Sequence, residues 1–296
     1  MKVGLIGLGR MGRAMAERLE ETGAELLVWN RSADKAGGLA AEVAESPAAV
    51  AAGRDVVLSI MANDAALEAV YFGTGGLCSA PLGGTTIVEM TTTAPDTIRR
   101  LEAAVREAGG RLVECPVGGT IAPARAGKLL GLAGGEADDL ERVMPVMQQL
   151  VRRIEHVGPV GAGAAMKLSI NLPLMVYWAA LGEALGLAIG SGIDPELALD
   201  ILADSSGAIG AAKMRVPPIL EMLRTGEPGG VNFALEVALK DMGLMEEACA
   251  ATGRPGTVIA ATRAKAAAAA REGFGPLDAS MVGLCGLVDP NRKETK

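Results

Sequence analysis

Histidine is almost missing from this chain: among 296 residues there is one, His156. That removes His-rich metal sites and leaves Ser-His-Asp chemistry almost nothing to build on. Cysteine is also sparse. Cys78, Cys115, Cys249 and Cys285 stand far apart with no Cys-x-x-Cys spacing. They read as buried thiols of a reducing compartment, not as zinc ligands or a redox pair. Aromatics are 2% of the residues and the formal charge is −7. A nucleic-acid surface wants a basic face and, for single strands, stacking platforms, so that class of partner is excluded. No stretch of ~18 residues runs free of both charge and Gly or Pro breaks, as a spanning helix needs. The nearest, residues 168–193, carries Glu183 and several glycines and reads as a buried helix; no membrane partner is expected. Met1-Lys2-Val3 leads straight into an apolar run without a signal-peptide pattern. The expectation is a cytoplasmic protein.

What the chain has is apolar residues, at 50%, and glycine, at 40 residues. Its length favours two domains and is ample for a core without staples. Residues 3–8 form a short apolar run ending in glycines, the pattern of a buried parallel strand. A helical stretch follows, with Met11, Met15, Ala16 and Leu19 on one face, and then a second apolar run at 26–29. Strand, helix and strand within about thirty residues make a βαβ unit. Further strand candidates stand at 55–60, 86–90, 111–115 and 128–133, with helical patterns at 64–70 and 94–108 between them. The alternation predicts an α/β fold, a Rossmann-type doubly wound parallel sheet. Beyond Gly163 strand-like runs vanish and Ala-rich helical periods take over. The expected division is a dinucleotide-binding domain over 1–163 and an all-helical substrate and dimerisation domain over 164–296. Residues 164–192 form one long helix candidate, on which Gly182, Gly186 and Gly190 recur every fourth residue. That spacing offers a smooth face for a close neighbour, either within the chain or across a dimer.

The sharpest motif is Gly7-Leu8-Gly9-Arg10-Met11-Gly12, a Gly-x-Gly-x-x-Gly placed after a strand and opening a helix. The first glycine permits the tight turn, the second lets backbone approach a pyrophosphate, and the third permits close helix–strand packing. The end of the second strand selects the cofactor. NAD sites usually place Asp or Glu ~20 residues on, against the ribose hydroxyls. This chain has Asn30-Arg31-Ser32 there, with Lys35 nearby. Arg31 can pair with a 2′-phosphate and Ser32 can donate to it, so NADPH is the expected cofactor, ahead of NAD. Hydride transfer to a carbonyl also needs a proton donor. His156 lies in an apolar–polar alternation that reads as an edge strand. Neither Tyr71 nor Tyr177 has a lysine four residues on, so a Tyr-x-x-x-Lys pair is absent. Lys167 stands out, at the start of an otherwise apolar helix after Gly161 and Gly163. Asn171 follows one turn later on the same face. A lysine snorkelling from a buried helix is the plain alternative.

Together these residues resemble the β-hydroxyacid dehydrogenase family, the 3-hydroxyisobutyrate dehydrogenase-like proteins, over nearly the whole chain. The opening glycine motif continues into Met15-Ala16. Thr91-Thr92-Thr93-Ala94-Pro95 is similar to the family's Ser-Thr segment before a proline. Glu114-Cys115-Pro116-Val117-Gly118-Gly119-Thr120 resembles its Asp-x-Pro-Val-Ser-Gly loop, followed by Ala124 and Gly127. Gly161, Gly163, Lys167 and Asn171 match a Gly-x-Gly…Lys-x-x-x-Asn element. Phe233, Leu235, Lys240 and Asp241 match a Phe-x-Leu…Lys-Asp pattern.

The resemblance implies a Rossmann domain, a helical domain and an active site in the cleft between them. It implies Lys167 as catalytic acid/base and Asn171 as its helper. Met61, Ala62 and Thr92 would contact the cofactor and Lys240 would reach it. The carboxylate of a small-molecule substrate would sit on Gly118, Gly119 and Thr120. A homodimer or homotetramer is implied as well. Gly118 stands where the family has Ser, and Leu172 where it usually has a second Asn. The Val117-x-x-Thr120 loop followed by Pro123-Ala124 looks more like the glyoxylate and succinic semialdehyde reductase branch. The expected reaction is NADPH-dependent reduction of a small aldehyde acid. Alternatives are a 3-hydroxyacid dehydrogenase working oxidatively, an imine reductase-like enzyme, and a nucleotide-sensing protein without turnover.

Overall fold

The computed structural model describes residues 2–290. Contacts between α-carbons divide the chain into two compact units, Met1–Lys167 and Leu168–Lys296. The division falls inside one long helix, four residues beyond the 163/164 boundary expected from composition.

The first unit is a nine-stranded sheet with helices on its crossovers. Strand β1 (Lys2–Ile6) is buried from Val3 onward, as an apolar run covered on both faces must be. Helix α1 (Arg10–Glu21) buries Ala14, Met15, Ala16 and Leu19 and leads to β2 (Glu25–Trp29). There follow β3 (Glu42–Val43), α2 (Pro47–Ala51), β4 (Val56–Ser59), α3 (Asp64–Phe72), β5 (Thr86–Glu89), α4 (Pro95–Glu107) and β6 (Arg111–Glu114). These six strands are all parallel, in the order β3-β2-β1-β4-β5-β6. Two apolar clusters flank them, one around Leu5, Met15 and Val28, the other around Ile6, Val57 and Tyr71.

The parallel pattern stops at β6. Strand β7 (Val117–Gly118), α5 (Ile121–Arg125) and β8 (Leu129–Gly134) come next, and β8 runs antiparallel to both β6 and β7. The reason is connection length. Only the short α5 segment joins β7 to β8, which suits a hairpin-like return better than a crossover. Helix α6 (Ala137–Met147) then carries the chain to β9 (Val151–Gly158), parallel to β8. The strand expected at 128–133 forms at Leu129–Gly134, but in an antiparallel extension of the sheet. His156 lies on β9, exposed at the sheet's edge, with Nε2 2.8 Å from the Gly135 carbonyl oxygen.

The second unit holds most of α7 (Ala162–Gly190), then α8 (Pro195–Asp204), α9 (Ala212–Thr225), α10 (Leu235–Ala251) and α11 (Thr257–Ala269). Among the described residues its only extended pairings are two isolated bridges, Ala234 with Asp278 and Cys285 with Val288. Helix α7 is long and apolar enough, by length and composition, to cross a membrane. Its expected burial holds only in part: Leu185 is buried, while Leu187 is 76% exposed. The glycine face divides in the same way. A Cβ on Gly182 would lie 2.2 Å from the Gly283 Cα, so that glycine serves close packing within the chain. Among the described residues, nothing lies within 4 Å of a Cβ added to Gly186 or Gly190.

Candidate active site

The three motif glycines have three separate reasons to be glycine. Gly7 has φ +97°, a conformation side chains rarely adopt, and an added Cβ would meet the Ile60 carbonyl oxygen at 2.2 Å. On Gly12 a Cβ would lie 1.9 Å from the Gly7 carbonyl oxygen, so the helix could not sit on the turn. Gly9 differs. Its backbone is extended, with φ −65° and ψ −176°, and a Cβ there would meet nothing within 4 Å. Among the described residues no packing demands glycine at position 9. A bound group approaching the N-terminus of α1 would, and a pyrophosphate is what such a twelve-residue helix start accepts. The site therefore fits a dinucleotide.

Side chains around this turn hold it in place. The Asn30 Oδ1 accepts the Leu8 N–H at 2.9 Å, and the Asn30 Nδ2 donates to the Ser32 carbonyl at 3.0 Å. Asn30 thus ties the glycine turn to the end of β2. Arg31 and Ser32 lie just beyond, both exposed, as is Arg10. Arg13, which the motif does not include, braces the following segment through the carbonyls of Lys35 and Gly37 at 3.0 and 2.7 Å. Met11 is half-buried against the core.

Two further loops leave the C-terminal strand ends. Thr91 is buried, and its Oγ1 accepts the Met61 N–H at 2.7 Å, which joins the loop after β4 to the loop after β5. Thr93 is buried too and donates to Asp64 at 2.8 Å. Thr92 stands between them, partly exposed, and Ala62 is exposed. The Thr91 backbone N–H in turn donates to the Glu89 Oε1 at 2.8 Å, and the Tyr71 hydroxyl donates to the Glu89 Oε2 at 2.8 Å. Both side chains are buried, and burial pushes the Glu89 carboxyl up from the ordinary range. Sequence reasoning passed over this pair. Its trace was legible: a carboxylate closing a strand that is otherwise apolar.

Beyond β6 come Cys115 and Pro116 and then the loop at Gly118, Gly119 and Thr120. Cys115 is buried and its thiol is pushed up to about 12 by desolvation, so it is no nucleophile. Gly119 has φ +129°, and a Cβ there would crowd the Leu129 side chain at 2.8 Å. A Cβ at Gly118 would make only ordinary contacts, so the loss of the family's serine there reflects no steric demand. Glu114 ends β6, and the start of α7 is bonded to it. Lys167 stands on the second turn of α7, half-buried. The glycine turn, the threonine loop, the Gly118–Thr120 loop and the start of α7 all follow C-terminal strand ends of the first unit.

In the second unit Asn171 stands one turn beyond Lys167 on α7 and is 7% exposed. Lys240 is on α10, with its Nζ 2.9 Å from the Asp241 Oδ1. It lines a depression of about 470 Å³ with Glu246 and Arg263.

Residues 2–158 match the model of the NAD binding domain of 6-phosphogluconate dehydrogenase. Residues 161–284 match the NAD-binding domain of NADP-dependent 3-hydroxyisobutyrate dehydrogenase. The chain belongs to the β-hydroxyacid dehydrogenase family. A NAD-dependent L-serine dehydrogenase of Pseudomonas aeruginosa is 32% identical over 256 residues, 85% of this chain and 86% of that protein. Glyoxylate/succinic semialdehyde reductase 1 of Arabidopsis thaliana is 36% identical over 205 residues, 68% of this chain and 71% of the reductase. The structure of Mycobacterium tuberculosis 3-hydroxyisobutyrate dehydrogenase with L-serine superposes with TM-score 0.82 at 26% identity, over 96% of this chain and 98% of that one. As a β-hydroxyacid dehydrogenase, the chain is an NAD(P)-dependent oxidoreductase acting on hydroxyl or aldehyde groups.

Proposed function

We propose that the protein reduces a small aldehyde acid, of the glyoxylate or semialdehyde kind, with NADPH. The single observation that carries the cofactor half is the end of β2. No carboxylate stands there, the Asn30 side chain is used up in holding the turn, and Arg31 and Ser32 are exposed beside it. A carboxylate would repel a 2′-phosphate, whereas a guanidinium pairs with it through charge-assisted hydrogen bonds. The bound nicotinamide supplies the hydride.

The chain's own residues do the rest. Residues 7–12 would hold the pyrophosphate against α1, Met61, Ala62 and Thr92 would contact the cofactor from the first unit, and Lys240 is the second unit's candidate for a cofactor contact. Gly118, Gly119 and Thr120 present backbone N–H groups to the substrate carboxylate. Lys167 gives its proton to the oxygen that becomes the hydroxyl, and Asn171 orients Lys167 and substrate. The domain reading, a dinucleotide-binding part over 1–163 and a substrate and dimerisation part over 164–296, belongs to the same proposal.

The experiment is a spectrophotometric panel. NADPH or NADH is offered with glyoxylate and succinic semialdehyde, and NADP or NAD with 3-hydroxyisobutyrate and L-serine. Turnover of an aldehyde with a clearly lower KM for NADPH is expected. A clear preference for NADH, or turnover only in the oxidative direction, would sink the reading. Lys167→Ala should lower kcat by about 100-fold or more with the fold intact, the usual scale for a positioned acid.

A further inference from the structure

The carboxylate of Glu114 holds the first turn of α7. Its Oε1 accepts the N–H groups of Gly161 and Gly163, the latter at 2.8 Å, and its Oε2 accepts the Ala164 N–H at 3.0 Å. A helix start leaves its first N–H groups without carbonyl partners, and a buried start must find others. Here the account closes. The Ala162 N–H goes to the Pro159 carbonyl, and the Ala165 N–H begins the regular ladder on Gly161. Glu114 takes the remaining three. A negative group at this end also offsets the positive pole of the helix dipole.

The surroundings are shaped to this side chain. Glu114 faces Gly134 across the pairing of β6 with β8, and a Cβ on Gly134 would lie 2.3 Å from the Glu114 Oε1. A Cβ on Gly163 would lie 3.1 Å from the Glu114 Cδ and 2.4 Å from the Leu132 carbonyl oxygen. Gly161 has φ +100°, and a Cβ there would lie 2.8 Å from the Arg99 guanidinium. Burial raises the Glu114 carboxyl above the ordinary carboxylate range, and the three backbone N–H groups and then the Arg99 charge act against that rise. Gly134 and Gly163 thus clear the volume that the glutamate fills. One residue on from Glu114 the chain turns into the segment that ends in Gly118, Gly119 and Thr120.

Lys167 stands four residues beyond Gly163 and three beyond Ala164, so it shares their face of the helix. We propose that Glu114 is a positioning residue for the proton donor: through the N–H groups of Gly161, Gly163 and Ala164 it fixes the height and rotation of α7, and so the placement of the Lys167 ammonium. The proposal rests on Lys167 being the acid. A helix start held by one carboxylate at the end of a strand of the sheet moves as that strand moves. A donor displaced by about 1 Å loses on the order of 100-fold in rate.

The test uses the full chain with Glu114→Gln, Glu114→Asp, Lys167→Ala and the Glu114→Gln/Lys167→Ala double variant. Turnover is followed with NADPH and with glyoxylate or succinic semialdehyde, whichever is faster. Glutamine fills the same volume but turns an NH2 group toward at least one of the donors. Glu114→Gln should lower kcat about 10–100-fold while KM for NADPH moves less than about twofold. Amide exchange of residues 161–164 should quicken. In the Lys167→Ala background the same change should cost less than about twofold, because the two residues act through one another. Glu114→Asp keeps the charge and should recover part of the rate; it also carries the tests if Glu114→Gln does not fold. Unchanged kcat in both Glu114 variants overturns the proposal. So does an equal loss with and without Lys167, the mark of general loosening. Full kcat in Lys167→Ala removes the premise, and that result is separate from anything the Glu114 variants show.

Discussion

Single residues in the glycine turn separate fold from binding. Gly12 is filled against the Gly7 carbonyl, whereas Gly9 borders open space. Gly12→Ala should therefore destabilise the first unit, by about 1–3 kcal/mol as overpacked positions do. Gly9→Ala should leave the melting temperature within a degree or two and weaken NADPH binding about tenfold or more, read by fluorescence titration. Equal losses of stability in the two variants would contradict this division. Glu89 gives a pH dependence. Burial raises its carboxyl above the ordinary value of 4.5. Between that value and the raised one, the folded protein holds a proton that the unfolded chain has released. The folded state then binds more protons, so stability falls as pH rises through the window. Glu89→Gln cannot ionise. The stability of the native protein relative to Glu89→Gln should decline from about pH 4.5 upward, in denaturation series at several pH values. A difference that stays flat would mean that Glu89 does not titrate there.

At the scale of elements, α7 shows how far a pattern can be read. The four-residue spacing of Gly182, Gly186 and Gly190 announced a smooth face, and among the described residues only Gly182 uses it. The reason is the chain's later course: the short 3-10 helix at Ala279–Leu284 brings Gly283 against Gly182, and among the described residues nothing comes to the other two. Gly182→Ala should lower stability by about 1–3 kcal/mol or more. Gly186→Ala has room and should raise it by about 0.5–1 kcal/mol, since glycine costs that much in a helix interior. Thermal melts of both variants check the contrast. The strands behaved likewise. Apolar runs and glycine punctuation placed β1, β2, β4, β5 and β6 in order. The antiparallel turn of β8 was not legible, because a strand's direction depends on how the chain returns and not on its own residues.

For the whole molecule, the second unit leaves apolar side chains in water. Leu187 on α7 and Leu197 and Ile201 on α8 are 76%, 53% and 56% exposed. Under the dimerisation role proposed for residues 164–296, a second copy of the chain covers them. The native protein should then run as a dimer or tetramer in light scattering, and Leu187→Lys with Ile201→Lys should shift it to monomer. A monomeric native protein at micromolar concentration would contradict this. By itself the sequence determined the glycine turn, the alternation of strand and helix, the helical second half, Asn30-Arg31-Ser32 in place of a carboxylate at the end of β2, and the lysine that opens an apolar helix. Each of these is a local property, carried by neighbours a few residues apart. Tertiary structure decided which glycines are packed and which face open space. It also decided that Asn30 braces the turn, and that the carboxylates of Glu89 and Glu114, paired in register on β5 and β6, are spent on backbone N–H groups. Those facts depend on residues brought together from far along the chain, such as Glu114 with Gly163, and no local pattern encodes them.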